Sequence, residues 1–348
     1  MTGTIRTYGF AVVGCGMISD THIDAITQIH NARLVAVCDT REEAARAKAA
    51  QYGCEWTTDY EALLQRDDIH IVDIIVPSGL HAKLGIMAAE AGKSVICTKP
   101  LDITLEAVDA LIEACDQNGV KLGATHQLRG YGVYKHVRQA LNSGRFGKPL
   151  YANAFVPWFR SDAYYSDGWH GTKALDGGGA LINQSIHYVD LLLWLMGDVK
   201  SVCGFADALA HDTIEVEDCA SAALKFTSGA QGLIQGTTCT YQGHEARLEI
   251  HGTLGNAVVV GDQLMLWEVE GEEHTWNPDA GQVGGAADPR KGMSGEAVPA
   301  HVEQIRDVIA AIAEDRPPLI DGREARRAVE LILAIYESSA TGTIVNLR

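Results

Sequence analysis

Two hydrophobic periods alternate along the first 125 residues. Predominantly apolar runs at 10–13, 34–38, 71–76, 94–97 and 120–124 are separated by stretches at 18–29, 41–52, 81–91 and 105–117 whose apolar residues recur at helical spacing. Strands apolar at most positions, with amphipathic helices between them, imply a parallel sheet covered on both faces, a doubly wound α/β arrangement. Past residue 126 the rhythm changes. A helix is expected over 131–142, a strand over 150–156, a polar and aromatic loop over 157–172, and a strongly apolar helix over 180–196. From 199 to 269 strand-length segments are punctuated by glycine turns, which reads as a large open, mainly antiparallel sheet. Residues 277–297, rich in Gly, Pro and Ala, read as a surface loop, and helices over 301–314 and 323–338 close the chain. The pattern divides the chain into an α/β domain, 1–125, and an α+β domain, 126–348, in keeping with roughly 150 residues per domain.

Composition narrows the function classes. Hydrophobic residues make up 47% and charged residues 21%, an ordinary balance that argues against disorder. A formal net charge of −17 repels phosphate polymers, so neither nucleic acid nor an anionic membrane is an expected partner. No stretch reaches ~18 uninterrupted apolar residues, and residues 1–6 lack the apolar region of a secretion signal. The eight cysteines are scattered without a C-x-x-C pair. That disfavours a disulfide framework or a structural zinc and suggests reduced thiols in the cytoplasm.

The residues that carry chemistry begin where the first apolar run ends. Gly14-Cys15-Gly16-Met17-Ile18-Ser19 joins a strand to a helix. In a dinucleotide-binding turn the first glycine permits the tight bend. The second lets the backbone approach a pyrophosphate, which rests on the N–H groups that open the helix. Ser19 stands where a third glycine is usual and is small enough for close packing. Asp39 closes the second run about 20 residues on, where an acid accepts hydrogen bonds from the adenosine ribose. Together these marks describe a Rossmann domain, with Gly14, Gly16, Met17, Ile18, Asp39, Thr40 and Arg41 as the expected cofactor contacts. The Asp39 charge repels a 2′-phosphate and favours NAD over NADP; Arg41 weighs the other way, because a guanidinium can hold that phosphate.

Further along come Ile75-Val76-Pro77, His81, Ala91-Gly92-Lys93 and Thr98-Lys99-Pro100-Leu101. A second block holds Trp169-His170-Gly171-Thr172, Asp176-Gly177-Gly178-Gly179 and Asn183-Gln184-Ser185-Ile186-His187-Tyr188-Val189-Asp190. With Glu217-Asp218 and Gly322-Arg323-Glu324-Ala325, these stretches resemble the glucose–fructose oxidoreductase / inositol dehydrogenase / rhizopine-catabolism (Gfo/Idh/MocA) family over essentially the whole chain. The second block is similar to that of its nucleotide-sugar 3-dehydrogenases and glycoside oxidoreductases. The resemblance implies that Lys99 reaches the substrate, that a cis peptide precedes Pro100, and that Pro77, His81 and Lys99 lie beside the cofactor. It also implies that Asn183 and His187, four residues apart and therefore on one face of an α-helix, address a sugar. Thr98 replaces the family's Glu, and Asn183 replaces an Asp; an amide can orient an imidazole but cannot share its proton.

Oxidation of a secondary alcohol needs a proton taken from oxygen while hydride leaves carbon. A histidine's unperturbed pKa suits that base, so His187 is the candidate, and Lys99 is suited to stabilise the developing alkoxide. Trp158, Arg160, Tyr164, Tyr165, Trp169 and His170 offer ring faces and donors for a pyranose, and Arg129 is a candidate contact for a substrate carboxylate or phosphate. Asp190 is read either as orienting His187 or as a helix-surface salt bridge, and Asp20 and His22 as structural. No metal-ligand set is visible. The expected function is NAD(H)-dependent oxidation of a ring hydroxyl on a sugar, glycoside, nucleotide-sugar or cyclitol, in a homodimer or homotetramer assembled through the C-terminal sheet. Two alternatives stay open: glycoside hydrolysis assisted by a retained NAD, and a non-catalytic sugar or NAD(P) sensor.

Overall fold

The computed structural model describes residues 6–277 and 297–347, so most of the 277–297 loop and of the 1–6 segment lie outside the described residues. In chain order the first elements are β1 (Tyr8–Val13), α1 (Ser19–Thr27), β2 (Ala32–Cys38), α2 (Glu42–Tyr52), β3 (Glu55–Thr57), α3 (Tyr60–Leu64), β4 (Ile71–Ile74), α4 (His81–Glu90), β5 (Ser94–Thr98), α5 (Leu105–Gln117) and β6 (Leu122–Thr125). There follow α6 (Gly132–Asn142), β7 (Pro149–Pro157), α7 (Ile186–Met196), β8 (Val199–Asp207), β9 (Cys219–Phe226), β10 (Gln231–Thr237) and β11 (Arg247–Gly252). The chain closes with β12 (Gly255–Val260), β13 (Gln263–Val269), β14 (Thr275–Trp276), α8 (Ala297–Glu314), α9 (Gly322–Thr341) and β15 (Val345–Asn346).

The chain divides into two units, Met1–Gly130 with Gly295–Arg326, and Tyr131–Ser294 with Arg327–Arg348. In the first, six parallel strands run in the order β3-β2-β1-β4-β5-β6, the order of a dinucleotide-binding sheet. β1 and β4 are buried at every position, which is why they read as largely apolar runs; the one charged residue in them, Asp73 of β4, is met by His22. The sequence pattern passes over β3 and α3; β3 is a three-residue edge strand with no buried position. The boundary drawn at 125 leaves α8 with the second part, whereas the structure clusters it with the first. Its Val302, Ile305, Val308 and Ile309 share a core with Phe10, Ile23 and Ile26.

In the second unit nine strands among the described residues run β14-β13-β12-β11-β7-β10-β9-β8-β15. The pairing is antiparallel except that β7 lies parallel to β10, so the sheet is mixed, with β7 inserted at its centre. Burial alternates along β9 and β10. One face is covered by helices: Ser338 Oγ of α9 accepts from Gly204 N of β8 at 3.1 Å. The other face exposes Tyr151, Leu233 and Phe205, at 42%, 47% and 69%. The long apolar helix is not α-helical throughout. Ala180–Ser185 forms a π-helical turn before α7 begins.

Candidate functional site

In the first unit, the turn between β1 and α1 sorts its glycines by different physical needs. Gly14 has φ +100°, and a Cβ there would lie 2.0 Å from the Ile75 carbonyl oxygen, so the bend admits no side chain. Gly16 is the reverse case, since a Cβ there would meet nothing within 4 Å. Behind them Ser19 is buried, and its hydroxyl donates to Gly16 O at 2.6 Å. Asp39, at the end of β2, accepts from Cys15 N at 2.8 Å, from Arg41 N at 2.8 Å and from Arg41 Nε at 3.2 Å. Burial raises its pKa, but these donors outweigh burial and hold the carboxyl below its usual range. Met17 and Thr40 are exposed and Ile18 is half-buried at the head of α1. Open space over Gly16, the start of a helix and an ionised acid at the next strand end fit an adenine dinucleotide.

Asp20 and His22 are structural. Asp20 accepts from Lys48 Nζ at 2.5 Å and Tyr52 OH at 3.0 Å. His22 Nδ1 meets Asp73 Oδ2 at 2.8 Å with both side chains fully buried, and the His301 ring packs on His22 at 4.6 Å.

Lys99 follows β5, is half-buried, and precedes a cis peptide to Pro100. His81, which the resemblance sets beside the cofactor, is fully buried, with Nδ1 2.6 Å from Pro100 O and Nε2 2.7 Å from Val76 O. Burial pushes its pKa down against the pull of those carbonyls. It therefore ties the loop of Lys99 to the segment after β4, where the half-buried Pro77 caps a turn. Arg129 is also buried, and its charge is met by Glu324 at 2.9 Å.

The other candidates lie in the second unit, around the π-helical turn. Gly179 packs so closely that a Cβ would lie 2.1 Å from Glu217 O. The buried Glu217 carboxylate accepts from Gly179 N at 2.9 Å, Leu181 N at 2.8 Å and Tyr336 OH at 2.8 Å. Burial nevertheless pushes its pKa up. From the turn a hydrogen-bond chain extends outward. Asn183 Nδ2 donates to Asp176 Oδ1, whose other oxygen accepts from Gly171 N at 2.8 Å. Gln184 Nε2 donates to Asn183 Oδ1 at 3.0 Å and to Tyr164 OH at 2.9 Å. Arg160 donates to Gln184 Oε1 at 2.6 Å.

Among residues 180–193, His187 alone is not buried. The wider π turn means that the α-helical i, i+4 relation expected between Asn183 and His187 does not describe their backbone. Asp190 is 1% exposed, so it does not lie on the helix surface. Tyr165 OH bonds Thr238 Oγ1 at 2.8 Å, and His170 Nδ1 pairs with Asp167 at 2.6 Å while stacking on Trp169 at 3.6 Å. Asp176 and Glu217 belong to the motifs above, but nothing in the sequence assigns them these bonds. Their partners lie across loops and strands, where no fixed spacing announces them.

Comparison with known proteins covers both units. Residues 8–126 match the family model described as "Oxidoreductase family, NAD-binding Rossmann fold", and residues 134–258 match the "GFO/IDH/MocA C-terminal domain". A D-apiose dehydrogenase from Paraburkholderia graminis is 30% identical over 100% of this chain and 92% of its own. An inositol 2-dehydrogenase from Rhizobium meliloti is 31% identical over 78% of this chain and 82% of its own. The crystal structure of the WlbA dehydrogenase from Bordetella pertussis, in complex with NADH and UDP-GlcNAcA, is similar with a TM-score of 0.86 and 35% identity over 99% of each chain.

Proposed function

The chain belongs to the GFO/IDH/MocA family of NAD-binding oxidoreductases, and we propose that it oxidises a ring hydroxyl of a sugar, glycoside, nucleotide-sugar or cyclitol to a ketone, or catalyses the reverse. The observation that carries this reading is His187, the half-exposed residue of an otherwise buried stretch, preceded by a turn that Glu217, Asp176 and Gln184 hold by hydrogen bonds. Relatives named for sugar and cyclitol oxidation support it, as does the nucleotide-sugar acid bound to the WlbA dehydrogenase.

Gly16, Met17 and Ile18 would hold the pyrophosphate and Asp39 the adenosine ribose; the Asp39 charge favours NAD over NADP. Bound NAD supplies the hydride acceptor. His187 takes the hydroxyl proton during oxidation and returns it in reduction. Lys99 donates to the same hydroxyl and stabilises its developing negative charge. Asn183, fixed by Asp176, orients the sugar, while Arg160, Tyr165, Trp169 and His170 offer donors and ring faces. The chain's eight free thiols suit a reducing cytoplasm. The open face of the second sheet is the surface through which copies associate into dimers or tetramers.

NADH formation by the purified protein, given NAD and free aldoses, inositols, anhydrosugars, glycosides and UDP-linked sugars, tests the proposal. Turnover on one class, falling at least ~10²-fold in His187→Ala, is the expected outcome. Equal turnover by that variant would refute the assignment of the base.

A further inference from the structure

We propose that Arg160 reads a negative charge on the substrate, so that the sugar oxidised here is an acidic one bearing a carboxylate or phosphate group. This rests on the oxidoreductase reading above and narrows its substrate class. A guanidinium cannot shed its proton to escape burial, so a buried arginine is kept with an anion or leaves a charge uncompensated. Arg160 is 7% exposed. The comparably buried Arg129 has Glu324 at 2.9 Å, but among the described residues no carboxylate lies within ion-pair distance of Arg160.

The hydrogen bonds of Arg160 are also incomplete. One terminal nitrogen donates to Phe159 O at 2.8 Å and the other to Gln184 Oε1 at 2.6 Å, while Nε has no acceptor. A guanidinium has five N–H donors, so most of its capacity is unspent. The rings of Trp158 and Tyr164, 5.4 and 5.5 Å from the guanidinium carbon, offset part of the charge. Burial pushes the guanidinium below its usual pKa, the direction expected of a cation lacking its anion.

The surroundings give the missing anion a place. Arg160 lines a cavity of about 270 Å³ together with Ser161, Asp162, His211 and Cys239. The His211 ring is already committed to Asp218 at 3.0 Å and Arg160 O at 2.9 Å, and Asp218 is further held by the backbone N–H groups of Leu209, Ala210 and His211. Asp162 is exposed to water. Through Gln184 the guanidinium reaches Asn183, so a charge held there sits against the network that precedes His187. Asp176, the anion in that network, stands two amides away with both oxygens occupied.

The test uses the full-length protein and matched substrates: glucuronate against glucose, and glucose 6-phosphate against glucose. Two readouts are taken, kcat/KM for NADH formation and the melting temperature with NADH and sugar present, on wild type, Arg160→Gln and Arg160→Lys. The expected result is a preference of about 10²-fold for an acidic over its neutral partner, carried by KM, abolished in Arg160→Gln and partly restored in Arg160→Lys. The glucuronate and 6-phosphate arms tell carboxylate from phosphate. Equal turnover of acidic and neutral partners overturns the inference while leaving the oxidoreductase reading intact. If no sugar yields NADH, that reading fails and melting decides. A rise with acidic sugars in wild type that is absent in Arg160→Gln supports the anion site, and no rise overturns it. Should Arg160→Gln not fold, the comparison runs on Arg160→Lys.

Discussion

Replacing Gly14 and Gly16 separately by alanine divides what the glycine turn does for the fold from what it does for the cofactor. At Gly14 the new Cβ meets the Ile75 carbonyl oxygen at 2.0 Å and the backbone sits at φ +100°. Positive φ in a non-glycine residue costs roughly 1–3 kcal/mol, and forcing an atom into a filled site roughly another 1–3 kcal/mol. A total near 4 kcal/mol is a large part of a typical stability of about 5–15 kcal/mol, and lowers the melting temperature by roughly 10 °C. At Gly16 the Cβ meets nothing within 4 Å, so Gly16→Ala leaves stability unchanged or raises it by roughly 0.4–1 kcal/mol. If a pyrophosphate packs against that backbone, however, the methyl group displaces it. Losing one charge-assisted hydrogen bond, about 1.5–3 kcal/mol, weakens NADH roughly 10- to 150-fold. Scanning calorimetry and an NADH fluorescence titration on both variants read the two effects. Wild-type NADH affinity in Gly16→Ala, or wild-type stability in Gly14→Ala, would refute the reasoning.

Other outcomes follow from the same geometry. Asp39→Asn exchanges one of the two ribose-accepting carboxylate oxygens for an amide donor and removes the charge that repels a 2′-phosphate while Arg41 stays, so kcat/KM for NAD falls at least ~10-fold and the NAD/NADP ratio moves toward NADP; an unchanged ratio would count against Asp39 as the discriminating acid. His301 is held neutral by burial and by the charge of neighbouring His22, its pKa lowered from 6.5 to about 3. Between those values the unfolded chain takes up a proton that the folded one refuses, so stability is lost as pH falls through 6.5. The loss is about 2 kcal/mol by pH 5, and chemical denaturation at pH 5 and 7.5 should show it smaller in His301→Leu. Leu233→Asp, on the open face of the second sheet, yields monomers in sedimentation if that face joins copies; an unaltered assembly would place the interface elsewhere.

Much of this molecule is legible in its sequence because burial leaves a period. β1 and β4, covered on both faces, announce themselves as largely apolar runs, and the turn at Gly14 and Gly16 carries its own chemistry. What escaped has a common cause. The three-residue β3 buries nothing and leaves no pattern. The amphipathic face of α8 says that it packs, but not that it packs against α1. In the apolar stretch that opens at Ala180 a π turn and an α turn look alike. The site divides in the same way. His187 and Lys99 are visible through motif, whereas the engagement of Asn183 by Asp176, the anchoring of His81 to the loop of Lys99, and the lone charge of Arg160 depend on contacts across loops that no fixed spacing announces.

Transfer of hydrogen from the sugar to the nicotinamide tests the central claim most directly. The protein is given NAD and a substrate it turns over, deuterated at the ring carbon that bears the reacting hydroxyl, and the nicotinamide is weighed by mass spectrometry. Oxidation at that carbon yields NADH heavier by one deuterium, with a ketone left on the ring. Turnover that produces unlabelled NADH, or that consumes the sugar with the deuterium retained and no ketone formed, would contradict it.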